Sequence, residues 1–405
     1  MRFNDMNIEK NVLDSLNQMG FNEPTEIQKE TIPLIKEGHD LIGQSKTGSG
    51  KTAAFGIPLV EKVKNIGKTQ ALILEPTREL AEQTSNELRK FSKFKRLHVL
   101  CVYGGVSIEH QISNLKHSDI IVGTPGRTLD HIQRGTMNLQ NVNIFVLDET
   151  DKMFEMGFIE DIERIIKFLP DDRQNLFFSA TMPDEVLRIK NKFTRNAKKV
   201  KTETMLSEDV LEQFYYDVYP AEKFSLLVHL LKNENPDLSI IFCNTRRETG
   251  CVAENLKRNS IIASCLHGGL TQARRNQVIQ DFHSKKIKVL VATDVAGRGL
   301  DIKNVSHIFN YNIPKCPEDY INRIGRTARI GETGKAISLL SNNDHDCFRR
   351  LINIYGPEIK RLDKPDFEIL PFRKNFISAR RPFYRPDFRH GFRRNEFKQR
   401  YSRCR

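Results

Sequence analysis

Short runs of aliphatic and aromatic residues recur along this 405-residue chain, separated by stretches with helical spacing. That recurrence limits the fold more than any other feature. ALILEP (71–76), DIIVGTP (119–125), NIFVLDE (143–149) and QNLFFSAT (174–181) form one series, and SIIFCNT (239–245), IKVLVATD (287–294), HIFNYNIP (307–314) and KAISLLS (335–341) form a second. A strand that is apolar on both sides must be covered on both faces, which means a parallel sheet with helices above and below. The chain therefore reads as α/β, with two tandem parallel-sheet domains at 1–200 and 213–361. The weakly periodic stretch 201–212 (KTETMLSEDVLE) is the expected linker. From 362 to 405, Pro, Arg and Phe alternate with neither helical nor strand period, and this segment reads as a disordered tail.

Apolar residues make up 39% of the chain and charged residues 28%, which suits two ordinary cores and excludes a largely disordered protein. No run approaches the roughly 18 apolar residues of a membrane span, and no secretory leader is found, so no membrane partner is expected. Seven scattered cysteines, never in a C-x-x-C pair, argue against a disulfide framework or zinc site and fit a reducing, cytoplasmic setting. The net charge is +13, but residues 371–405 hold 12 Lys or Arg against 2 acids, leaving +3 for the rest. The basicity is a property of the tail, where 8 aromatics lie among those 12 cations. Phosphate pairing and base stacking could act there together on a single strand.

After the apolar run DLIG (40–43) comes Ser45-Lys46-Thr47-Gly48-Ser49-Gly50-Lys51-Thr52, followed by a stretch with helical spacing. Phosphate oxygens need several inward backbone N–H groups, which glycines allow, and a following helix N-terminus adds its positive dipole end. Lys51 would neutralise the β and γ phosphates, and the Thr52 hydroxyl would ligate Mg2+. About a hundred residues on, the strand IFVL ends in Asp148, Glu149, Thr150 and Asp151. A carboxylate there can reach the Mg2+ shell, and its neighbour can orient or deprotonate the attacking water. A phosphate cradle beside an acid-tipped strand makes an NTPase.

These residues sit in a series whose order and spacing resemble the DEAD-box RNA helicases, with the acidic motif spelled DETD. The resemblance runs from Phe3 to about residue 345 and implies two RecA-like domains with ATP and Mg2+ in the cleft between them. FNEPTEIQ (21–28), with Phe3 upstream, is similar to the family's Q motif, which implies that Phe3 stacks on adenine and Gln28 reads its edge. PTRELA (76–81), GG (104–105) and TPGR (124–127) resemble the motifs that hold the RNA backbone, through Pro76, Thr77, Arg78, Gly105, Thr124 and Arg127. SAT (179–181) resembles the motif linking hydrolysis to unwinding, with Ser179 and Thr181 bonding to Asp151. In the second domain the resemblance assigns Thr293 to RNA phosphate, Asp301 to the ATP ribose, and Arg326 and Arg329 to the γ-phosphate. An arginine delivered from the other domain can be worth about 10³ to 10⁵ in rate. Catalysis is thus expected to rest on Glu149, Asp148, Lys51, Arg326 and Arg329.

Four positions depart from the family's pattern: Ser45 for Ala or Gly, Thr150 for Ala, Asn322 for His, and Ala328 for Gly. Asn322 bears on coupling, because Asn is shorter than His and cannot become cationic. The expected activity is ATP-dependent local unwinding or remodelling of RNA by a monomer, with backbone-dominated RNA binding. The alternatives are an RNA clamp or annealing chaperone with a vestigial ATPase, against which the intact acids and arginines speak, and a DNA-directed helicase, against which the Q motif speaks.

Overall fold

The computed structural model describes residues 2–45, 48–182, 187–188, 192–202, 211–297, 305–327, 334–342, 344–355 and 359–374. Lys46, Thr47, Asp301, Arg329 and the tail from 375 lie outside the described residues. The first sheet contains β1 (Leu41–Gln44), β2 (Ala71–Leu74), β3 (Val99–Val102), β4 (Ile120–Gly123), β5 (Ile144–Leu147), β6 (Gln174–Ser179) and β7 (Lys198–Lys201). The second contains β8 (Leu211–Asp217), β9 (Ser239–Phe242), β10 (Ala263–Leu266), β11 (Val289–Ala292), β12 (His307–Asn310), β13 (Gly334–Leu340) and β14 (Lys360–Arg361). Their orders are β3-β4-β2-β5-β6-β1-β7 and β10-β11-β9-β12-β13-β8-β14, so the second repeats the first strand for strand. All the pairings are parallel.

The apolar runs fold this way because alternate side chains leave on opposite faces and both faces are covered. Ile73, Val146 and Phe178 enter one core with Phe55 and Leu88, while Leu72, Leu74, Phe145 and Phe177 enter another with Ile162 and Ile165. The second sheet divides likewise: Ile241, Val291 and Phe309 pack on one side, Ile240, Leu290 and Ile308 on the other. Strands absent from the sequence reading are mostly at the edges. β7 reads KKVK and buries only Val200, since an edge strand is paired and packed on one side alone. The expected linker also narrows, because Lys201 belongs to β7 while Leu211 and Glu212 belong to β8.

The expectation of disorder from residue 362 is incorrect for 362–374, which lie against the second sheet's helices. Leu362, Phe367, Leu370 and Phe372 pack onto the core beneath, with the Phe372 ring centroid 5.1 Å from that of Phe224. The segment has no period because it is held by side chains rather than by a ladder. Leu370 N donates to Ser225 Oγ (2.9 Å), and the Asn255 amide pairs with both Arg373 N and Arg373 O at 3.0 Å. Asn255→Ala should leave that buried pair unmatched and loosen the docked segment 362–374 by about 1–3 kcal/mol. Hydrogen exchange checks this: protection at Leu370 and Arg373 should fall while β9 and β12 keep theirs, and unchanged protection would show that the aromatic contacts alone suffice.

Candidate active site

The loop after β1 turns through Gly48 (φ 85°) and Gly50 (φ 92°) into the helix Lys51–Lys62. Only glycine adopts this backbone easily, and a Cβ at Gly50 would collide with Gln28 Nε2. That closeness reflects a brace. Gln28 Nε2 donates to Gly50 O (3.0 Å), Thr25 Oγ1 to Ser49 O (2.9 Å), and Thr25 N to Gln28 Oε1 (2.9 Å). Gln28 keeps one N–H and one lone pair for a further partner. Ser49 Oγ is buried without a partner, as suits a cradle built for a polar ligand. Phe3 is 1% exposed, its ring centroid 6.0 Å from that of Phe21. The structure gives it a place in the core, and stacking on a base would require the ring to turn outward.

β5 delivers the acids beside this loop. Glu149 is a non-glycine residue at φ 49°, ψ 47°, a conformation costing about 1–3 kcal/mol and typical of functional sites. Its two oxygens meet two lysines: Lys51 Nζ lies 3.1 Å from Oε1, and Lys152 Nζ bonds to Oε2. Lys51 Nζ also donates to Ser45 O (2.9 Å). Burial pushes the Glu149 carboxyl up, but Lys152 and Lys51 more than reverse this and hold it well below the usual range. Burial pulls the Lys51 ammonium down, and Glu149, Asp148 and Asp151 together raise it past its ordinary value. Asp148 Oδ1 accepts from Glu149 N (2.8 Å), and burial outweighs the pull of Lys51 and drives its carboxyl up to about 7. Its neighbour Glu75 is wholly buried, pushed well above the carboxylate range by burial and then by Asp148, and accepts from Thr84 Oγ1 (2.6 Å).

The next turn reaches β6. Thr181 N and Oγ1 both donate to Asp151 Oδ2 at 2.8 Å, and Asp151 N donates to Ser179 Oγ (3.2 Å). The structure thus brings Asp151, Ser179 and Thr181 together. Thr150 also has a use, since Oγ1 donates to Phe178 O (3.0 Å) and ties the acidic turn to the end of β6.

Facing the second domain, Thr77 caps the helix Arg78–Phe91 and Thr124 precedes the helix Pro125–Gln133. The Arg78 guanidinium lies against Gly105, where any Cβ would collide with it, and Arg127 approaches Gly104. The expected backbone-binding set therefore gathers at two helix N-termini beside a glycine turn, an arrangement suited to phosphates. Two bonds absent from the sequence reading join this surface to the second domain. Arg78 Nη1 donates to Gln272 Oε1 (3.1 Å), and Arg275 pairs with Glu79 at 2.7 Å, with both side chains nearly buried. PTRELA and LHGGLTQARR contained these residues, but nothing in either segment alone marks the other as its partner.

Among the described residues of the second domain, Arg323 rather than Arg326 is the deepest cation, 1% exposed. It pairs with Asp294 and donates to Asn310 Oδ1 (3.1 Å), Asn312 O (2.6 Å) and Asn244 Oδ1 (3.3 Å). It thereby fixes the helix Pro317–Ile324, and Asn322 and Arg326 line one small pocket with Asp294 and Asp319. Thr293 directly follows β11 and is nearly buried. Lys152, Glu75, Arg323 and Asp294 had no assigned role from sequence. Lys152 had a local signal, standing three residues after Glu149 on a short helix.

A braced phosphate loop, acids on the adjacent strand and a second sheet of the same order in contact with the first define a nucleotide-driven motor of two domains. A DEAD/DEAH box helicase family model matches residues 25–189, and a helicase conserved C-terminal domain model matches 222–331. The chain belongs to the DEAD-box ATP-dependent RNA helicases. It is 46% identical to the DEAD-box ATP-dependent RNA helicase CshA of Geobacillus kaustophilus, over 90% of this chain and 79% of that one. It is 45% identical to the ATP-dependent RNA helicase CshA of Listeria monocytogenes, over 91% and 71%. Saccharomyces cerevisiae Dbp5 bound to RNA and ADP BeF3 superposes with a TM-score of 0.83 at 34% identity, covering 90% of this chain and 96% of that one.

Proposed function

We infer that this protein is an ATP-dependent RNA helicase that hydrolyses ATP to ADP and phosphate and locally unwinds or remodels RNA. One observation carries the reading beyond family membership. The single turn after β5 places Glu149 on the phosphate-loop lysine and Asp151 on Ser179 and Thr181, so the hydrolytic acid and the coupling motif cannot move independently. Domains at 1–201 and 211–374, joined through 202–210, would be the two moving bodies, with Arg78, Glu79, Gln272 and Arg275 joining them when closed. We place the protein in the cytoplasm, in keeping with free thiols at Cys101, Cys243, Cys251, Cys265 and Cys347. No described helix is long and apolar enough to cross a membrane.

ATP phosphates entering the loop would take Lys51 from Ser45 O and Glu149. Glu149 stays anionic, being held low, and can orient a water and accept its proton as the water oxygen attacks the γ-phosphorus. The bond between the γ-phosphorus and the bridging oxygen breaks, and that oxygen leaves with the bonding electrons on ADP. Among the described residues no cluster of three or more His, Cys, Asp or Glu forms a metal cage. The oxygens at hand are Thr52 and Asp148, a donor set that fits Mg2+, which binds through one or two carboxylates together with substrate phosphates. Thr52 and Asp148 would hold that ion, and it would neutralise charge on the phosphate oxygens. Arg326 and, by family resemblance, Arg329 would add positive charge from the second domain. Gly48, Ser49, Gly50, Lys46 and Thr47 would line the phosphates, with Asp301 at the ribose and Phe3 and Gln28 at the base.

Glu149→Gln should cut RNA-stimulated ATP turnover by about 10² to 10⁴, the usual worth of a general base, while ATP and RNA still bind; normal turnover would overturn the assignment. Lys51→Ala should instead weaken ATP binding. The adenine reading is tested with GTP, which should support RNA-stimulated hydrolysis far less well than ATP; equal rates would remove Phe3 and Gln28 from the base site. Deleting 375–405 removes 10 Lys or Arg and 2 acids but spares the docked segment. If about four of those cations meet phosphate, RNA affinity should fall and its log–log salt slope flatten by about 3. An unchanged slope would assign all RNA binding to the two domains.

A further inference from the structure

Ser45 begins the phosphate loop, and in this chain all its polar groups are engaged. Ser45 N donates to Ser179 O (3.0 Å), Ser45 O accepts from Lys51 Nζ (2.9 Å), and Ser45 Oγ accepts from Thr202 Oγ1 (2.8 Å). The first bond reaches the coupling motif and the second the phosphate-loop lysine. The third reaches the residue after β7, where the chain leaves the first sheet for the second. Thr202 is held in register, since Thr202 N donates to Gln44 O (3.1 Å) one rung beyond the Gln44–Lys201 pair. Both side chains are buried, Ser45 at 2% and Thr202 at 7% exposed. Ala or Gly, the residues the family carries here, could not make the third bond.

We propose that Thr202 is a positioning residue for the ATPase cycle: its hydroxyl bond to Ser45 ties the root of the phosphate loop to the start of the connection between the two domains. Among the described residues β7 pairs only with β1, so its end follows whatever holds it. When phosphates draw Lys51 away, Ser45 O loses a donor and the root of the loop can shift. Through the Ser45–Thr202 bond, that shift is passed to the end of β7, where the chain leaves the first domain. The inference rests on the helicase reading above and concerns how nucleotide binding is transmitted, not whether hydrolysis occurs.

The test uses the full chain with Thr202→Val, Thr202→Ser, Ser45→Ala and the Ser45→Ala/Thr202→Val pair. ATP turnover is measured with and without RNA, with the melting temperature of each variant. One neutral hydrogen bond sets the scale, so Thr202→Val should lower the ratio of RNA-stimulated to unstimulated rate by about fivefold. Thr202→Ser, which keeps the hydroxyl, should retain the wild-type ratio. The double variant should be no worse coupled than either single, because one interaction is removed in each case. It should also recover stability, since both buried polar partners are gone together. A stabilising role alone would instead lower the melting temperature of Thr202→Val and leave the ratio untouched, which overturns the proposal, as would ratios that fall multiplicatively in the double variant. Absence of RNA stimulation in the unaltered protein would overturn the helicase reading itself, an outcome distinct from stimulated variants that match it.

Discussion

The buried contact between Lys51 and Glu149 governs the architecture around it. Two ions withdrawn from water at the end of a parallel sheet each face a desolvation penalty of several kcal/mol, which mutual attraction must offset. Lys152 closes the other side of the carboxylate and Ser45 O caps the ammonium, so neither ion is left unmatched. The strained Glu149 backbone follows from the same demand, since the left-handed turn swings the carboxylate toward the loop. A ligand bearing negative phosphates can replace Glu149 as the partner of Lys51 without exposing a bare charge, which leaves the acid free for water.

The repeated sheet order explains why one fold holds the nucleotide and the other holds cations. In the first sheet, β1 feeds a glycine loop; in the second, the corresponding β8 feeds Val218-Tyr219-Pro220-Ala221-Glu222, which has no glycine and no following lysine-threonine pair. Where β5 ends in acids, the corresponding β12 is followed by Tyr311 and Asn312, and Asn312 Oδ1 accepts from Asn244 N (3.0 Å). The space that holds acids in one domain is filled in the other by the Arg323 network. The scaffold is the same, and the chemistry at the strand ends has diverged into a donor of positive charge. Buried networks of this kind hold their members in one geometry when every polar group is matched, and Arg323 meets Asp294, Asn310, Asn312 and Asn244 at once.

The central strands were legible in the sequence because burial on both faces leaves an unbroken apolar run, as in IFVL and SIIF. Edge strands such as KKVK were not, since one neighbour and one packed side impose almost no pattern. The phosphate loop and acids were legible because phosphate chemistry demands particular residues in a fixed order. The packing of Phe3 on Phe21 and of Gln28 on Gly50 was not legible, because only the fold brings these residues near each other. Glu79–Arg275 and Ser45–Thr202 were out of reach for the same reason: each joins residues more than 150 positions apart, and neither end carries a local signature. The docked segment after residue 362 was misread because isolated aromatics set into separate gaps mimic the composition of a disordered tail.

That segment also determines where the basic tail begins. Cys251 Sγ donates to Lys374 O (3.2 Å) and Asn255 grips Arg373, so the last described residues lie along the helix Arg246–Arg258. Arg246, at the start of that helix, packs its guanidinium against Gly268 in the turn that leads to Gln272 and Arg275. Five residues of helix separate Arg246 from Cys251, about 7.5 Å along the axis. The tail is thus tethered on the same side as the interdomain bonds rather than at a remote pole. The docked aromatics thus fix the point on the second domain from which the chain continues past Lys374.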